Sequence, residues 1–386
     1  MRVLLRCLVN PVRNCLVQCL SDDGLGRWRL CTLLAVLAAG MVAPEAMGQG
    51  RADVGTEKQV KPAIATTQTS KTTTSKTTTG ALKKSERPRQ IPPLTRGRRA
   101  LVPFKTAPFP YTGVVPATSK PFLDVHLENR SGHAARSGEV LWADVTYSDS
   151  RVLLDLPAGF NANRRGVLVV FLHGNGATLE RDVVARQQVP QQAASAGINS
   201  AVVAPQFASD AADSSAGKFW AKDALTAFLD EVALSLARLL GDVRAKPRFD
   251  AMPVVLVAYS GGYYPLSYLL HHGGSAERIL GVIVLDGLYG EQPRFADWIA
   301  QHPKAFFFVG YGPSSNDGTL ELARLLAERR IPVATILSPD LVAGNVTLLA
   351  TPTTVVHADF VSKAWTDRPL RDLLRRIPGF PRPSKP

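Results

Sequence analysis

The sequence predicts an α/β fold with a mostly parallel central sheet and helices on both faces. Two patterns support this prediction. Short apolar runs of strand length alternate with longer segments of helical periodicity, and one run, residues 254–258, is followed closely by a serine between small residues. Strands that alternate with helices are joined by right-handed crossovers, so the strands lie parallel and both sheet faces are covered. Their carboxyl ends share one edge, where functional side chains gather.

Residues 121–386 carry as many basic as acidic side chains, although the formal net charge of the 386-residue chain is +13. Of the 45 Lys and Arg, five lie in residues 1–48 and fourteen in residues 49–120, which leaves 26. Of the 32 Asp and Glu, three lie in each of those segments, which also leaves 26. A nucleic-acid-binding domain usually has a basic stripe on its folded surface. The sequence therefore predicts no nucleic-acid partner.

Residues 1–48 are predicted to be a signal peptide. The largely apolar run at 30–43 is shorter than the roughly 20 residues that span a membrane. The small residues Ala46 and Gly48 precede Gln49 in the way a signal peptidase requires, so cleavage is expected there, with an uncleaved membrane anchor as the alternative. All four cysteines lie in the first 31 residues, which fits an exported protein, periplasmic or secreted.

Residues 49–120 are predicted to be a disordered linker. The stretch 66–79 consists almost entirely of Thr, Ser and Lys, and the segment as a whole has few apolar residues and a high positive charge. Such a segment cannot bury enough apolar surface to offset the entropy of ordering. Its charge would allow weak contact with an anionic envelope surface, and a solvated tether is the alternative. The folded domain is then expected over residues 121–386.

Strands and helices are expected in alternation along this domain. Besides the run at 254–258, strands are expected at 140–147 and 151–157, around a turn at 148–150, and at 167–172, 200–204, 279–285, 305–309 and 333–337. Helices are expected at 179–196, 225–240, 263–272, 294–300 and 320–328, of which 225–240 has the clearest apolar stripe.

Residues 254–263 are predicted to carry a serine at a tight turn between a strand and a helix. The run from Val254 to Ala258 is apolar and mostly β-branched, which is typical of a strand covered on both faces. Ser260 then lies in an A-x-S-x-G pattern that ends at Gly262. Small neighbours are needed because such a turn strains the backbone at the serine. The alternative interpretation is that Ser260 caps the following helix.

Over residues 139–361 the chain resembles the α/β-hydrolases. Three motifs occur in that family's order: H-G-N-G at 173–176, A-Y-S-G-G at 258–262 and a late histidine at 357. The resemblance implies an esterase- or lipase-like serine hydrolase that cleaves an ester or related acyl bond through an acyl-enzyme, with a small-molecule or acyl-ester substrate. A serine peptidase of the same fold is one alternative. The other is a catalytically silent α/β-hydrolase scaffold that binds an envelope partner.

The resemblance also assigns roles to individual residues. Ser260 would be the nucleophile and His357 the base that removes its proton. Two N–H groups would bind the oxyanion, one from Gly261 and one from the H-G-N-G loop, where Asn175 is the first choice and Gly176 the second. His173 would brace that loop.

Two aspartates could complete the triad. Asp286 directly follows the strand at 279–285, the position that some family members use, whereas most members would use the position of Asp317. A charge that leaves a buried strand without a partner is costly, which suggests a role for Asp286. Asp317 can instead be explained as part of a turn that caps the helix at Leu320. Asp286 is therefore preferred and Asp317 is the alternative.

No cofactor and no metal are expected. Asp210, Asp213 and Asp223 form a loose acidic loop without matching histidines. The aromatic residues of the loop at 206–220 could line a substrate pocket or simply pack against the core.

Overall fold

A computed structural model describes residues 90–380, in which eight strands form one central sheet. In chain order these are β1 (Arg98–Pro103), β2 (Arg151–Leu156), β3 (Val167–Leu172), β4 (Ser200–Pro205), β5 (Val254–Tyr259), β6 (Ile279–Leu285), β7 (Phe306–Tyr311) and β8 (Val346–Ala350). Their spatial order is β1-β2-β4-β3-β5-β6-β7-β8. β2 is antiparallel to both neighbours, and the other adjacent pairs are parallel.

Helices surround the sheet. They are α1 (Ala143–Thr146), α2 (Val189–Ser195), α3 (Ala224–Leu240), α4 (Lys246–Asp250), α5 (Tyr263–His272), α6 (Gln292–Gln301), α7 (Asn316–Glu328) and α8 (Pro369–Arg375). A π-helix covers Leu179–Arg186, and short 3-10 helices include Gly217–Trp220, Ser260–Gly262, Pro313–Ser315 and His357–Asp359. Between residues 90 and 380, no helix has both the length and the apolar character needed to cross a membrane.

The core lies on both faces of the sheet, as the alternation of side chains along β5 illustrates. Leu256 and Ala258 pack into one apolar cluster with residues of α3, α5, α6 and α7. Val255 and Val257 pack into the other, with residues of α2 and α8. A parallel strand that is buried on both faces needs a continuous apolar run, and such a run is what allowed β5 to be predicted from the sequence. The predicted α/β class is confirmed, and the strand order with a serine turn after β5 makes the fold α/β-hydrolase-like.

The N-terminal boundary of the folded part differs from the prediction. The linker was expected to run to residue 120, but β1 pairs with β2, and Phe104 and Phe109 are buried. The basic side chains that suggested disorder are accommodated at the sheet edge, where Arg99 pairs with Asp155 at 2.7 Å. The predicted signal peptide and residues 49–89 of the predicted linker, with their expected contact to an anionic surface, lie outside the described residues.

An insertion between β1 and β2 replaces the hairpin expected at 140–157. It contains a two-stranded sheet of Val114–Val115 and Lys120–Pro121, and a three-stranded antiparallel sheet of Val125–Leu127, Arg130–Ala134 and Val140–Trp142. The strand predicted at 140–147 ends at Trp142 and continues as α1, because its partner is Arg130–Ala134 and not β2. Arg130 stacks on Trp142 and pairs with Asp144, which stabilises this alternative pairing.

The helix expected at 179–196 is interrupted. Gln188 has a left-handed backbone with φ of +51°, and it separates the π-helix from α2. Pro190 follows in the first turn of α2, where its missing N–H costs nothing, whereas inside a continuous helix it would remove a hydrogen bond.

The last strand also differs from the prediction. Residues 333–337 form no strand, and within them Ala334 makes an isolated bridge to Thr347. The place beside β7 belongs to β8, whose Val346 and Leu348 reach the core, whereas Ile336 is 80% exposed. Burial therefore favours the run at 346–350, although the β-branched content of both runs is similar.

Candidate active site

Ser260 lies at the sharp turn between β5 and α5. Its φ of +52° is in the left-handed region, which is strained for a residue with a side chain. The turn packs closely against the end of β3, since a Cβ on Gly262 would lie 2.4 Å from the carbonyl oxygen of Leu172. Glycine at this position therefore has a steric cause, and the turn holds the serine side chain at the carboxyl edge of the sheet.

A line of hydrogen bonds joins Ser260, His357 and Asp286. His357 Nε2 lies 2.8 Å from Ser260 Oγ, and His357 Nδ1 lies 2.6 Å from Asp286 Oδ2. With the proton on Nδ1, the imidazole donates to the carboxylate and its Nε2 can accept the serine proton. Three separate segments, after β5, after β6 and after β8, bring these groups together at the sheet edge.

Asp286 is buried, and four donors surround its carboxylate. Oδ2 accepts from His357 and from the hydroxyl of Ser314 at 2.5 Å, while Oδ1 accepts from the Gly312 amide at 3.1 Å and from the Ser315 hydroxyl. Burial raises the pKa of Asp286, but the hydrogen bonds from His357, Ser314, Ser315 and Gly312 outweigh it and hold the pKa below its ordinary value. The group is therefore a carboxylate at neutral pH.

Asp317, the alternative acid, lies elsewhere. It is exposed in the first turn of α7, and its carboxylate accepts from Asn316 at 3.3 Å. An acidic side chain there interacts favourably with the positive end of the helix dipole. The structure therefore places Asp286, and not Asp317, beside His357.

The loop that carries His357 is fixed by two aromatic side chains. The hydroxyl of Tyr259 donates to the backbone oxygen of His357 at 3.0 Å, and the two rings stack at 5.1 Å between centroids. Burial raises the pKa of Tyr259 to about 12, so this donor keeps its proton. Phe360, three residues after His357, is fully buried and packs against Gly312.

The H-G-N-G loop lies directly against the turn at Ser260. A Cβ on Gly174 would lie 2.7 Å from Ser260 Cβ, and one on Gly261 would lie 2.2 Å from Asn175 Oδ1. Among residues 90–380, no backbone acceptor takes the amide of Asn175 or of Gly261. The amide of Gly176, in contrast, donates to the Ala211 oxygen at 2.8 Å and is not free to bind a substrate oxygen. Of the two donors expected from this loop, the geometry therefore favours the Asn175 amide over that of Gly176.

His173 braces the H-G-N-G loop from below. Its Nδ1–H donates to the Gly174 oxygen at 2.8 Å, and its Nε2 accepts from the Phe207 amide at 2.9 Å. Burial lowers the pKa of His173 to about 4, so the ring is neutral. The neighbouring Gln206 holds the residues that follow the loop, donating to the Ala177 oxygen and accepting from the Leu179 amide.

The loop at 206–220 contributes Ser214 to the site. The aromatic residues Phe207, Phe219 and Trp220, which drew attention in the sequence, are buried in the core. Ser214 donates to Asn175 Oδ1 at 2.9 Å and so fixes the Asn175 side chain over the turn.

Sequence reasoning missed three of these supporting residues. Ser214 and Ser314 belong to no motif, and Tyr259 occupies the variable second position of A-x-S-x-G. A usable signal for Ser314 was its place just after β7, because the carboxyl end of β7 adjoins that of β6, from which Asp286 emerges.

The acidic side chains of Asp210 and Asp213 have partners within the protein. Asp210 pairs with Arg181 at 2.9 Å, and Asp213 accepts from Tyr147 and Ser215. Across residues 90–380, no group of three His, Cys, Asp or Glu side chains is arranged to hold a metal ion.

Neither a protein-family model nor a curated protein matches the sequence. Among solved structures, a mutant of the feruloyl esterase module from Clostridium thermocellum, complexed with sinapinate, is 12% identical, with 75% of this chain and 97% of that chain covered and a TM-score of 0.38. An IroE-like serine hydrolase from Shewanella oneidensis is 11% identical, with coverages of 58% and 74% and a TM-score of 0.34. Esterase 2 from Thermogutta terrifontis, phosphorylated by paraoxon, is 12% identical, with coverages of 52% and 76% and a TM-score of 0.32. The strand order and the serine turn of the chain itself define its fold as α/β-hydrolase-like.

Proposed function

We propose that the protein is a serine hydrolase that cleaves ester bonds through an acyl-enzyme. The observation that carries this proposal is the line of hydrogen bonds from Ser260 through His357 to Asp286, at 2.8 and 2.6 Å. A serine hydroxyl is a weak nucleophile unless a neighbouring base removes its proton, and the base must itself be oriented by a third group. Ser260 has such a base in His357, and His357 has such an orienting group in Asp286.

The proposed reaction has two halves. Ser260 Oγ attacks the acyl carbon while His357 Nε2 takes its proton, and the Asp286 carboxylate stabilises the imidazolium that forms. His357 then gives this proton to the alcohol oxygen, which leaves as the acyl–oxygen bond breaks. In the second half, water attacks the acyl carbon while His357 takes its proton, and His357 returns this proton to Ser260 Oγ as the bond from Oγ to the acyl carbon breaks and the acid is released.

The developing oxyanion would be held by the amides of Asn175 and Gly261. Both belong to segments that touch at the serine turn, and the hydroxyl of Ser214 holds the Asn175 side chain there. Preorganised donors of this kind contribute roughly 10²- to 10³-fold each to turnover, because they bind the transition state better than the substrate.

A fluorophosphonate probe tests the proposal. It should label the wild type and fail to label Ser260→Ala, with Ser267→Ala, a serine on α5 outside the site, as the labelled control. Labelling that persists in Ser260→Ala, or none in folded wild type, contradicts the proposal.

The alternatives have tests of their own. Absence of labelling together with salt-sensitive retention on an anionic polymer would support the silent scaffold instead. Comparison of short acyl esters with peptide amides separates an esterase from a peptidase. Export through the predicted signal peptide belongs to the same proposal and rests on sequence alone.

A further inference from the structure

The π-helix Leu179–Arg186 contacts two loops that the proposed reaction uses. The H-G-N-G loop precedes it in the chain, and the loop of His357 meets its last residue. Hydrogen bonds of a π-helix run from residue i to residue i+5, as the bond from the Gln187 amide to the Asp182 oxygen at 2.7 Å shows. Residues 181 and 186 therefore come to the same side of the helix, whereas an α-helix, with about 3.6 residues per turn, would separate them.

Asp182 lies buried between these two positions, and its carboxylate has three donors. Oδ1 accepts from Arg186 Nε at 2.9 Å, and Oδ2 accepts from Arg181 Nε at 2.9 Å and from the Thr178 amide at 2.8 Å. Burial raises the pKa of Asp182, but the hydrogen bonds outweigh it and hold the pKa below its ordinary value. At neutral pH one carboxylate therefore binds both arginines, and we call these three side chains the Asp182 network.

Arg181 extends the network to the oxyanion side of the candidate site. Its Nη2 donates to the backbone oxygen of Gly176, the last residue of the H-G-N-G loop. Its Nη1 donates to Asp210 at 2.9 Å. Gly176 directly follows Asn175, whose amide is proposed to bind the oxyanion. A displacement of Arg181 would therefore be passed on to that amide.

Arg186 extends the network to the side of the base. Its Nη1 donates to the backbone oxygen of Ala358, the residue after His357, at 3.4 Å. A second bridge joins the same two segments, because the buried side-chain amide of Gln192 donates to the backbone at the end of the π-helix at 2.9 Å and to the Val361 oxygen at 2.7 Å. The loop of the base is thus attached to the helix that also holds the oxyanion loop.

We propose that Asp182 is a positioning residue, which holds the loop of the base and the oxyanion loop at the mutual distance that catalysis needs. This inference rests on the proposed function. Charge-assisted hydrogen bonds are strong and directional, so a carboxylate shared by two arginines restricts both loops at once. A misplacement of about 1 Å can cost roughly 100-fold in turnover. Asp182 acts through the loops and not on the substrate, so its loss should reduce kcat and largely preserve KM.

Asp182→Asn tests the inference, because it keeps the size of the side chain and removes the charge and one acceptor. Asp372→Asn is the matched control. Asp372 also accepts from an arginine four residues later, Arg376 at 3.2 Å, but that arginine continues to the Ser338 oxygen and not to a loop of the candidate site. Turnover of phenyl acetate is measured, and fluorophosphonate labelling to completion counts the active molecules. With kcat stated per labelled site, a loss of folded protein is not mistaken for a loss of activity.

Asp182→Asn should lower kcat per labelled site roughly 10- to 100-fold and change KM by no more than about threefold, whereas Asp372→Asn should stay within about twofold of the wild type. If Asp182→Asn does not fold, Arg186→Met, at a largely exposed side chain, decides. It breaks only the connection to the base and should lower kcat about three- to tenfold.

Wild-type kcat per labelled site in Asp182→Asn, or an equal loss in Asp372→Asn, overturns the inference and leaves the proposed function intact. Wild-type kcat in Arg186→Met overturns it in the same way where Asp182→Asn does not fold. A wild type that is neither labelled nor active refutes the proposed function and the inference together.

Discussion

Lowering the pH from 7.5 toward 4 should destabilise the protein through His173. The ring is buried and neutral, and both of its nitrogens are engaged, with Nε2 accepting from the Phe207 amide. A second proton would have to be placed on Nε2, where it would face the Phe207 N–H instead of an acceptor. Protonation is therefore opposed in the folded state but not in the unfolded chain.

The sign and size follow from linkage. The pKa of His173 is about 4 in the folded protein and 6.5 ordinarily, so only the unfolded chain takes up the proton as the pH falls through that window. At pH 7.5 and above the group is neutral in nearly all molecules of both states, and its contribution to stability is close to complete. That contribution falls by about 2 kcal/mol at pH 5 and about 3 kcal/mol at pH 4, since each pKa unit corresponds to about 1.4 kcal/mol.

Urea unfolding followed by tryptophan fluorescence at pH 7.5 and pH 5 measures this difference. In His173→Gln the amide oxygen can still accept from Phe207, so the variant should lose about 2 kcal/mol less than the wild type over this interval. His271→Gln, at an exposed position on α5, is the control and should behave as the wild type does. An NMR titration of the wild-type ring gives a second readout if His173→Gln does not fold. Equal losses in wild type and His173→Gln, or a His173 ring that is protonated at pH 6, would refute the reasoning.

Three further substitutions test the site. Asp286→Asn should reduce kcat roughly 10³- to 10⁴-fold, because the amide no longer orients and stabilises the histidine. Asp317→Asn should stay within about twofold, since its carboxylate lies at the start of α7, and equal mild losses in kinetic assays would discredit the assignment of the acid. Gly262→Ala would place a methyl 2.4 Å from the Leu172 oxygen, a backbone atom that cannot easily move. It should cost about 1–3 kcal/mol in urea unfolding and weaken probe labelling of Ser260, and wild-type values for both would contradict the steric argument.

The sequence predicted the parts of the fold that are buried on both sides. β5 is buried at all six residues, so its apolar run is continuous, and α3 shows its stripe because one face packs against the core. β1 was missed because an edge strand can expose charged side chains: Arg98 and Arg99 are exposed while Leu101 is only half-buried. The other strands of the insertion, besides Val140–Trp142, were not predicted, since two to five residues are too few to establish a period.

The candidate site was likewise predicted only in part. Ser260, His357 and Asp286 could be named because each lies in a motif or at a strand end that a chemical requirement singles out. Ser214, Ser314 and Tyr259 could not, because their importance comes from contacts across the fold. The Ser314 hydroxyl meets Asp286 across 28 positions of sequence, and the Tyr259 hydroxyl meets the His357 backbone across 98.

The position of the acid after β6 follows from how β5 and β6 pair. Tyr259 and Leu285 are register partners, so Ser260 and Asp286 leave the sheet at the same level on adjacent parallel strands. Both then adopt left-handed backbones, with φ of +52° and +42°. A Cβ on Gly287 would lie 2.9 Å from the backbone carbonyl oxygen of Ser260, so a glycine directly after Asp286 allows the two turns to pack together. His357 therefore has only to bridge two neighbouring strand ends. For Asp317 to take this role, its carboxylate would have to reach His357 past Ser314 and Ser315, whose hydroxyls already donate to Asp286.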